Sequence, residues 1–398
     1  MRKFAVLLLL ALSSAANAVP TAPQIKGKSA IVVDSVTGKV LYEKACHARR
    51  PPASTTKIMT AILALEHGNL NDQVCASAYA CKTPNSSLHL KPGEVLTLDN
   101  MLYGLLLRSG NDSAVCVAEY VAGSEQEFIK MMNGRAKELG AKDTHFVNPH
   151  GLYNPKHYST AYDLALIAGH AVRFPKFNEI VRTRKAYIER SMNTKDSYLS
   201  NHARFLWRFE GADGIKTGYT REAGRCFVGS ATRDGWRPIA VILKSNDAGA
   251  DASALLTYAF KYYQGFYFAR PGEVVTSLPV AGGVAQKVSL MPSDGLGIVV
   301  RKSPGNEGRT AIDTGKATAP ISKGDKLGTV TGYLNGKRIG SVDLVAAESV
   351  DRTLAATIWV WARSFVLAGV FLALGYIGYG TAAAEAARRR RRSLASRS

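Results

Sequence analysis

The 398-residue chain is poor in the groups that metal and redox chemistry need. Its five cysteines, Cys46, Cys75, Cys81, Cys116 and Cys226, form no CxxC pair, and its eight histidines form no HxH or HExxH. Zinc sites and dithiol centres use such spacings, so no metal and no cofactor is expected. Acidic residues are also scarce, 31 against 51 Lys and Arg, for a formal charge of +20. That excess would suit nucleic acid, but no helix or loop has a basic stripe interleaved with aromatics, so no nucleic-acid partner is expected. An anionic cell-surface environment fits the charge better. The apolar run in MRKFAVLLLLALSSAANA is too short to span a bilayer. With its basic start and its small residues up to Ala18, segment 1–18 reads as a secretory signal. In an exported chain, an odd cysteine count leaves at least one unpaired or paired between chains. Cys75 and Cys81 could bridge locally. Cys116 sits in an apolar helical pattern and is expected as a buried thiol.

The far end does have a long apolar run. Ser364 to Ala384 carries no charge, and in a helix it reaches about 31 Å, enough to cross the hydrocarbon core. Trp359, Trp361 and Arg363 precede it as an interfacial belt would, and Arg388 to Arg392 follow it. Positive residues stay inside, so the body of the protein is expected to face outward.

Between these ends the pattern changes twice. SAIVVDSVTGKVLYEK reads as a hairpin turning at Thr37-Gly38. From Ser54 an apolar helical pattern runs to His67-Gly68-Asn69, with Ile58, Met59, Ile62, Leu63 and Leu65 spread so widely that the helix is expected to be central. Further helices follow, with a break at Ser109-Gly110-Asn111. Strands return in GIKTGYT and in two runs flanking Arg233-Asp234-Gly235, and a helix near 252–263 closes the region. From about Pro271 to Val350, short β-like runs are punctuated by Gly, Pro, Ser and Asp, with a turn at Asn335-Gly336.

The chemistry is signalled by PPASTTKIMT. Residues i and i+3 share a helix face, which puts Lys57 beside Ser54. A lysine in water stays charged at neutral pH. Buried, and near another cation, it can lose its proton and accept one from a serine, which then becomes a nucleophile. Alone, SxxK describes equally a capping serine and a surface lysine. Here it is followed in order by SGN at 109–111 and KTG at 216–218. This is the motif set of penicillin-recognising serine enzymes.

With PPASTTKIMTA, LKPGE, LLLRSGNDSA, HGL, STAYDLA and DGIKTGYTREAG, the chain resembles the D-alanyl-D-alanine carboxypeptidases, the low-molecular-mass penicillin-binding proteins. TAPISKGDKLGTVTGYLNGKRIGSVDLVA resembles the β domain that follows in that family. The resemblance implies an α+β fold, a β-lactamase/DD-peptidase-like antiparallel sheet flanked by helices. It also implies a catalytic domain over 28–265 and a small all-β domain over 271–350. An anchor at 354–384 and a basic cytoplasmic tail at 385–398 complete the expected organisation. Ser54 would be acylated, Lys57 would be its base, and Ser109 would relay a proton to the leaving amine. Asn111 would hold the substrate peptide group, and Lys216 and Thr217 its terminal carboxylate. Gly218 would admit the peptide beside the strand, and the backbone N–H groups of Ser54 and Tyr219 would receive the oxyanion. The implied partners are peptidoglycan stem peptides, β-lactams and the cytoplasmic membrane.

The chain departs from the family at Tyr219, where relatives often have histidine. VILKSNDAGADAS lacks a common arginine, and Lys244 is the nearest basic residue there. A spanning anchor is expected here in place of the family's usual amphipathic tail. A class A β-lactamase would need a carboxylate for deacylation, and NPHGLYNPKHYS has none. A non-catalytic penicillin sensor or wall-binding protein, and a transpeptidase or endopeptidase, are the other readings. Only the acceptor distinguishes the last two from a carboxypeptidase.

Overall fold

The computed structural model describes residues 21–395. The expected signal at 1–18 lies outside the described residues. The chain falls into two compact units. One holds the chain up to Tyr267 together with Leu296–Gly308, and the other holds Phe268–Gly295 and the chain from Arg309.

The first unit is built on strands β1 (Ser29–Asp34), β2 (Val40–Lys44), β3 (Ala212–Thr220), β4 (Gly224–Ala231) and β5 (Pro238–Ser245), in the order β2-β1-β5-β4-β3. All neighbours are antiparallel. The Asp34–Val40 and Ala231–Pro238 connections are too short for crossovers, so those pairs are hairpins. The outermost parts of the catalytic sequence meet at the centre, where Ile31 faces Val241 and Val33 faces Ile239.

Side chains alternate across a strand, and here both faces are buried. Ile31, Val33, Val241 and Leu243 enter one core, while Ala30, Val32, Ala240 and Ile242 enter another. The first core is shared with α1 (Lys57–His67), α3 (Asn111–Ala122), α4 (Glu125–Glu138), α5 (Ala161–Ala171) and α6 (Pro175–Arg182). A short α2 (Leu98–Tyr103) precedes α3 and contributes Met101 and Leu102. On the other face, α7 (Phe205–Arg208) contributes Phe205 and Leu206, and α8 (Ala248–Tyr262) contributes Leu255, Leu256 and Ala259. The antiparallel sheet flanked by helices is as expected. The first helix starts later than the sequence suggests, because Ser54 lies in a 3-10 turn, Ala53–Thr56. Ala53 takes a left-handed φ of 49°, which an α-helix cannot continue. All five cysteines are free thiols, so Cys75 and Cys81 are not bridged, and Cys116 is buried.

The second unit is a six-stranded sheet. Its order is Gly308–Thr314, Lys326–Leu334, Lys337–Ala346, Lys287–Pro292, Thr276–Ala281, Ala317–Thr318. Val288, Leu290, Val330 and Leu344 form its fully buried centre. Asn335 and Gly336, with φ of 50° and 78°, turn the central hairpin. Leu296–Gly308, which the sequence groups with this β module, belongs to the first unit, where Val299 joins the core and its carbonyl accepts from Lys39 at 2.8 Å. The chain then enters one helix, α9 (Leu354–Ala395), whose stretch Leu354–Ala386 is long and apolar enough to cross a membrane.

Candidate active site

The site grows from the turn before α1. Ala53 reverses the chain after Pro51-Pro52, and Thr55 and Thr56 tie the turn down by donating to the carbonyls of Pro52 and Ala53, each at 2.8 Å. Ser54 stays partly exposed at its apex while Lys57, one turn on, is fully buried. Burying an amine is costly. Ile58, Met59, Ile62 and Leu63 on the same helix are at most 1% exposed, and at about 2 kcal/mol each their burial offsets that cost.

Lys57 Nζ contacts three oxygens: Ser54 Oγ at 3.1 Å, Asn111 Oδ1 at 2.7 Å and the His150 carbonyl at 2.8 Å. Burial pushes its pKa well down, the Lys216 charge pushes the same way, and Asp112 opposes them.

The second wall comes from the break before α3. Gly104–Arg108 continues α2 as a wide π turn, and Ser109 takes a left-handed conformation with φ of 64°. Strain of this kind costs on the order of 1 kcal/mol and is typical of functional positions. It leaves Ser109 Oγ 3.0 Å from Lys216 Nζ. Asn111 opens α3 and is fixed by donating its backbone N–H to the Ser86 carbonyl and its Nδ2 to the Pro84 carbonyl, both at 2.7 Å. Lys216 is 1% exposed, and burial lowers its pKa to about 7.

β3 forms the third wall. Residues Lys216 to Tyr219 pair with Val228 to Arg225 of β4. A methyl group on Gly218 would come 2.9 Å from the Ser54 nitrogen and 3.2 Å from the Pro52 carbonyl oxygen. The close approach that this glycine permits is therefore to the turn that carries Ser54. Tyr219 is 66% exposed beyond it, with Arg225 over its ring. Ser54, Ser109, Thr217, Gly218 and Tyr219 all line one cleft of about 1010 Å3. The residues given catalytic or binding roles from the sequence thus fall in one place, with Lys57, Asn111 and Lys216 buried behind the cleft wall.

Other contributors were not evident from the sequence. The His150 carbonyl holds Lys57, and Thr60 donates to the neighbouring Pro149 carbonyl at 2.5 Å. A backbone acceptor has no side-chain signature, although HGL marks the place. Asp112 accepts from the backbone N–H groups of Leu88 and Leu90 and from Ser87 Oγ, and so shapes the loop that holds Asn111. Its position directly after SGN was the available signal. A fully buried Glu94–Arg190 pair at 2.7 Å braces the same loop, with Arg190 Nη1 donating to the Leu88 carbonyl. Lys244 is exposed and does not line the cleft.

Residues 16–247 match the D-alanyl-D-alanine carboxypeptidase family, peptidase S11, and residues 263–352 match the C-terminal domain of penicillin-binding protein 5. The chain is 36% identical over 337 residues to D-alanyl-D-alanine carboxypeptidase DacF of Bacillus subtilis, covering 82% of this chain and 86% of that protein. It is 31% identical to DacC of Escherichia coli, covering 85% and 87%. The structure resembles penicillin-binding protein 5 from Haemophilus influenzae, with a TM-score of 0.60 and 28% identity over 83% of this chain and 99% of that one. With its SxxK, SGN and KTG residues gathered in one cleft, the chain belongs to the serine-type D-alanyl-D-alanine carboxypeptidases, relatives of penicillin-binding protein 5.

Proposed function

We propose that the protein removes the terminal D-alanine from peptidoglycan stem peptides through an acyl-enzyme on Ser54, and that β-lactams acylate the same serine. The observation that carries this reading is the environment of Lys57. A neutral amine has two N–H bonds and one lone pair. Asn111 Oδ1 and the His150 carbonyl, at 2.7 and 2.8 Å, take the two N–H bonds. The lone pair is then left for the Ser54 hydroxyl at 3.1 Å.

The steps follow from that arrangement. Ser54 Oγ attacks the carbonyl between the two D-alanines as its proton passes to Lys57 Nζ. The backbone N–H groups of Ser54 and Tyr219 receive the oxyanion, and one such donor contributes roughly 3 to 4 kcal/mol. Ser109 Oγ gives its proton to the leaving nitrogen and takes up the one that Lys57 received from Ser54, so D-alanine departs and Lys57 is neutral again. Water then attacks the ester with Lys57 again as base, and as the acyl–Oγ bond breaks Lys57 returns that proton to Ser54. Lys216 and Thr217 hold the substrate's terminal carboxylate. An amine that titrates near pH 7 when free gains its proton as that carboxylate binds, so capture and charging are coupled.

A β-lactamase is less well supported. Among the residues that line the cleft the acidic one is Asp247, and its carboxylate caps α8 by accepting from the Ala250 N–H at 3.1 Å. Exposed apolar residues all along Leu354–Ala386, with Trp359 and Trp361 near the start, support a membrane-spanning anchor. We place the catalytic unit outside the cytoplasmic membrane, after export, and the arginine-rich end inside.

The test is a peptide ending in D-Ala-D-Ala. Wild type releases free D-alanine and retains labelled penicillin, and Ser54→Ala does neither. Rapid penicillin turnover would favour the lactamase, and stable labelling without D-alanine release would favour the sensor. Transfer to an added amine in preference to water would favour a transpeptidase.

A further inference from the structure

The catalytic cleft is larger and more cationic than a D-Ala-D-Ala terminus requires. Past Ser109 its lining includes Arg204 and Arg208, which bracket α7, and it adjoins a second hollow of about 600 Å3. The two share His202, Arg204 and Arg208, and Trp207 lies in the second, 43% exposed. Both arginines are exposed, and neither is among the described ion pairs. Other arginines of this unit, Arg108, Arg135, Arg190 and Arg237, have acidic partners. Asp247 also lines the cleft, but its carboxylate is engaged in capping α8.

In the reading above the terminal carboxylate already has a buried cation in Lys216, whose Nζ donates to Ser109 Oγ and to the Thr217 carbonyl. Of the three arginines that line the cleft, Arg225 lies over the Tyr219 ring, and the Arg204 and Arg208 guanidinium groups are left to address a different anion. Guanidinium matches carboxylate in a planar, two-pronged geometry that lysine cannot reproduce. The four-residue α7 holds the two groups on a rigid base, because Phe205 and Leu206 between them are buried in the sheet's second core.

We propose that Arg204 and Arg208 form a subsite for a second carboxylate on the substrate, separate from the C-terminal one. The enzyme then selects peptides that carry an acidic group upstream of the scissile bond. This rests on the carboxypeptidase reading above and names the substrate class for it.

The experiment compares three synthetic peptides that share a D-Ala-D-Ala end. One is neutral upstream, one carries a free carboxylate two residues before the scissile bond, and one carries it at the far N-terminus. Measurements are made with the full chain in detergent, at physiological salt. D-alanine release from the neutral peptide tests the carboxypeptidase reading by itself. The subsite predicts kcat/KM at least tenfold higher for one of the acidic peptides than for the neutral one, because a charge-assisted pair is among the stronger hydrogen bonds. In the Arg204→Gln, Arg208→Gln double variant that ratio falls towards one, and in Arg204→Lys, Arg208→Lys it recovers only in part. A thermal midpoint matching wild type shows that the double variant is folded. Three results would overturn the subsite: no preference in wild type, a preference that survives the double variant, or equal preference for both acidic peptides, which is long-range steering.

Discussion

In the mechanism proposed above, two buried lysines near Ser54 face opposite demands. Lys57 would have to be neutral to accept a proton, whereas Lys216 would have to be charged to hold a carboxylate. Both are at most 1% exposed, so burial alone would neutralise both. The arrangement distinguishes them, since the Lys216 charge adds to burial in lowering Lys57, whereas burial is what lowers Lys216. On the free enzyme, kcat/KM should rise through the lowered pKa of Lys57 and fall as Lys216 loses its proton from about pH 7 upward. Lys216→Met should remove the alkaline fall, move the acid limb to higher pH, and reduce kcat/KM for D-Ala-D-Ala peptides at least 100-fold. A pH series with peptide substrate reads all three. Stability should move the other way. With the folded pKa near 7 and the unfolded pKa near 10.4, the unfolded chain binds more protons between those limits, so this lysine disfavours folding most below pH 7 and progressively less up to about pH 10. Lys216→Met should therefore be more stable at pH 6, by about 1–4 kcal/mol in denaturant titration. An inactive but stabilised variant identifies the lysine as functional. The sequence announced both lysines through their motifs. It could not give their order of titration, which depends on which acceptors surround each amine.

A stretch without regular structure holds the Ser54 turn in place. Residues 147–157 meet the Ser54 turn at several points. His150 supplies a carbonyl to Lys57, and Pro149 supplies one to Thr60. His157 Nδ1 accepts from the Val147 N–H, so its Nε2 carries the proton and donates to Thr56 Oγ1 at 2.9 Å, and Thr56 in turn donates to the Ala53 carbonyl. Burial lowers the His157 pKa to about 3, which keeps this tautomeric chain intact at working pH. Gly151, with φ of 90°, lies so close that a methyl group would fall 1.9 Å from the Ala53 oxygen. Gly151→Ala should therefore displace Ala53 and Ser54 and slow penicillin acylation at least 100-fold, while far-ultraviolet circular dichroism stays native. His157→Ala should give a milder loss, about tenfold, because it deletes one link and leaves the contacts of His150 and Gly151. The ratio of the two acylation rates checks the assignment. Helices and hairpins of this unit were legible because periodicity and turn chemistry are local, as at Thr37-Gly38 and Arg233-Asp234-Gly235. The clamp was not, because it joins residues about 100 positions apart and works through backbone oxygens.

Taken whole, the chain joins a unit with two packed cores, a small β sheet and one apolar helix. The sequence showed all three styles, but it did not show that Leu296–Gly308 leaves the β module for the first unit. Short β runs look alike, and nothing local says which core takes Val299. The helix is the simplest case, because its stretch 364–384 carries no charge and the described side chains there are uncovered. Phe365, Phe371, Leu372, Leu374 and Ile377 are each more than 60% exposed. Leaving such side chains in water costs about 2 kcal/mol apiece relative to an apolar medium, so a bilayer would stabilise the segment. The boundary for removing it is set by the β unit. The Val350 N–H donates to the Ile321 carbonyl at 2.8 Å, Arg352 Nε to the Ala319 carbonyl at 2.8 Å, and the Thr353 N–H to the Gly282 carbonyl at 2.9 Å. A chain ended after Thr353 should keep these bonds and be recovered without detergent, whereas the full chain should sediment with membranes and require detergent. Its kcat/KM on a short soluble peptide should stay within about twofold of the full chain, since none of the cleft residues lies beyond Ser253. A soluble truncated protein that has lost peptide hydrolysis would tie α9 to the catalytic site. A truncated protein still bound to membranes would move the anchor elsewhere in the chain.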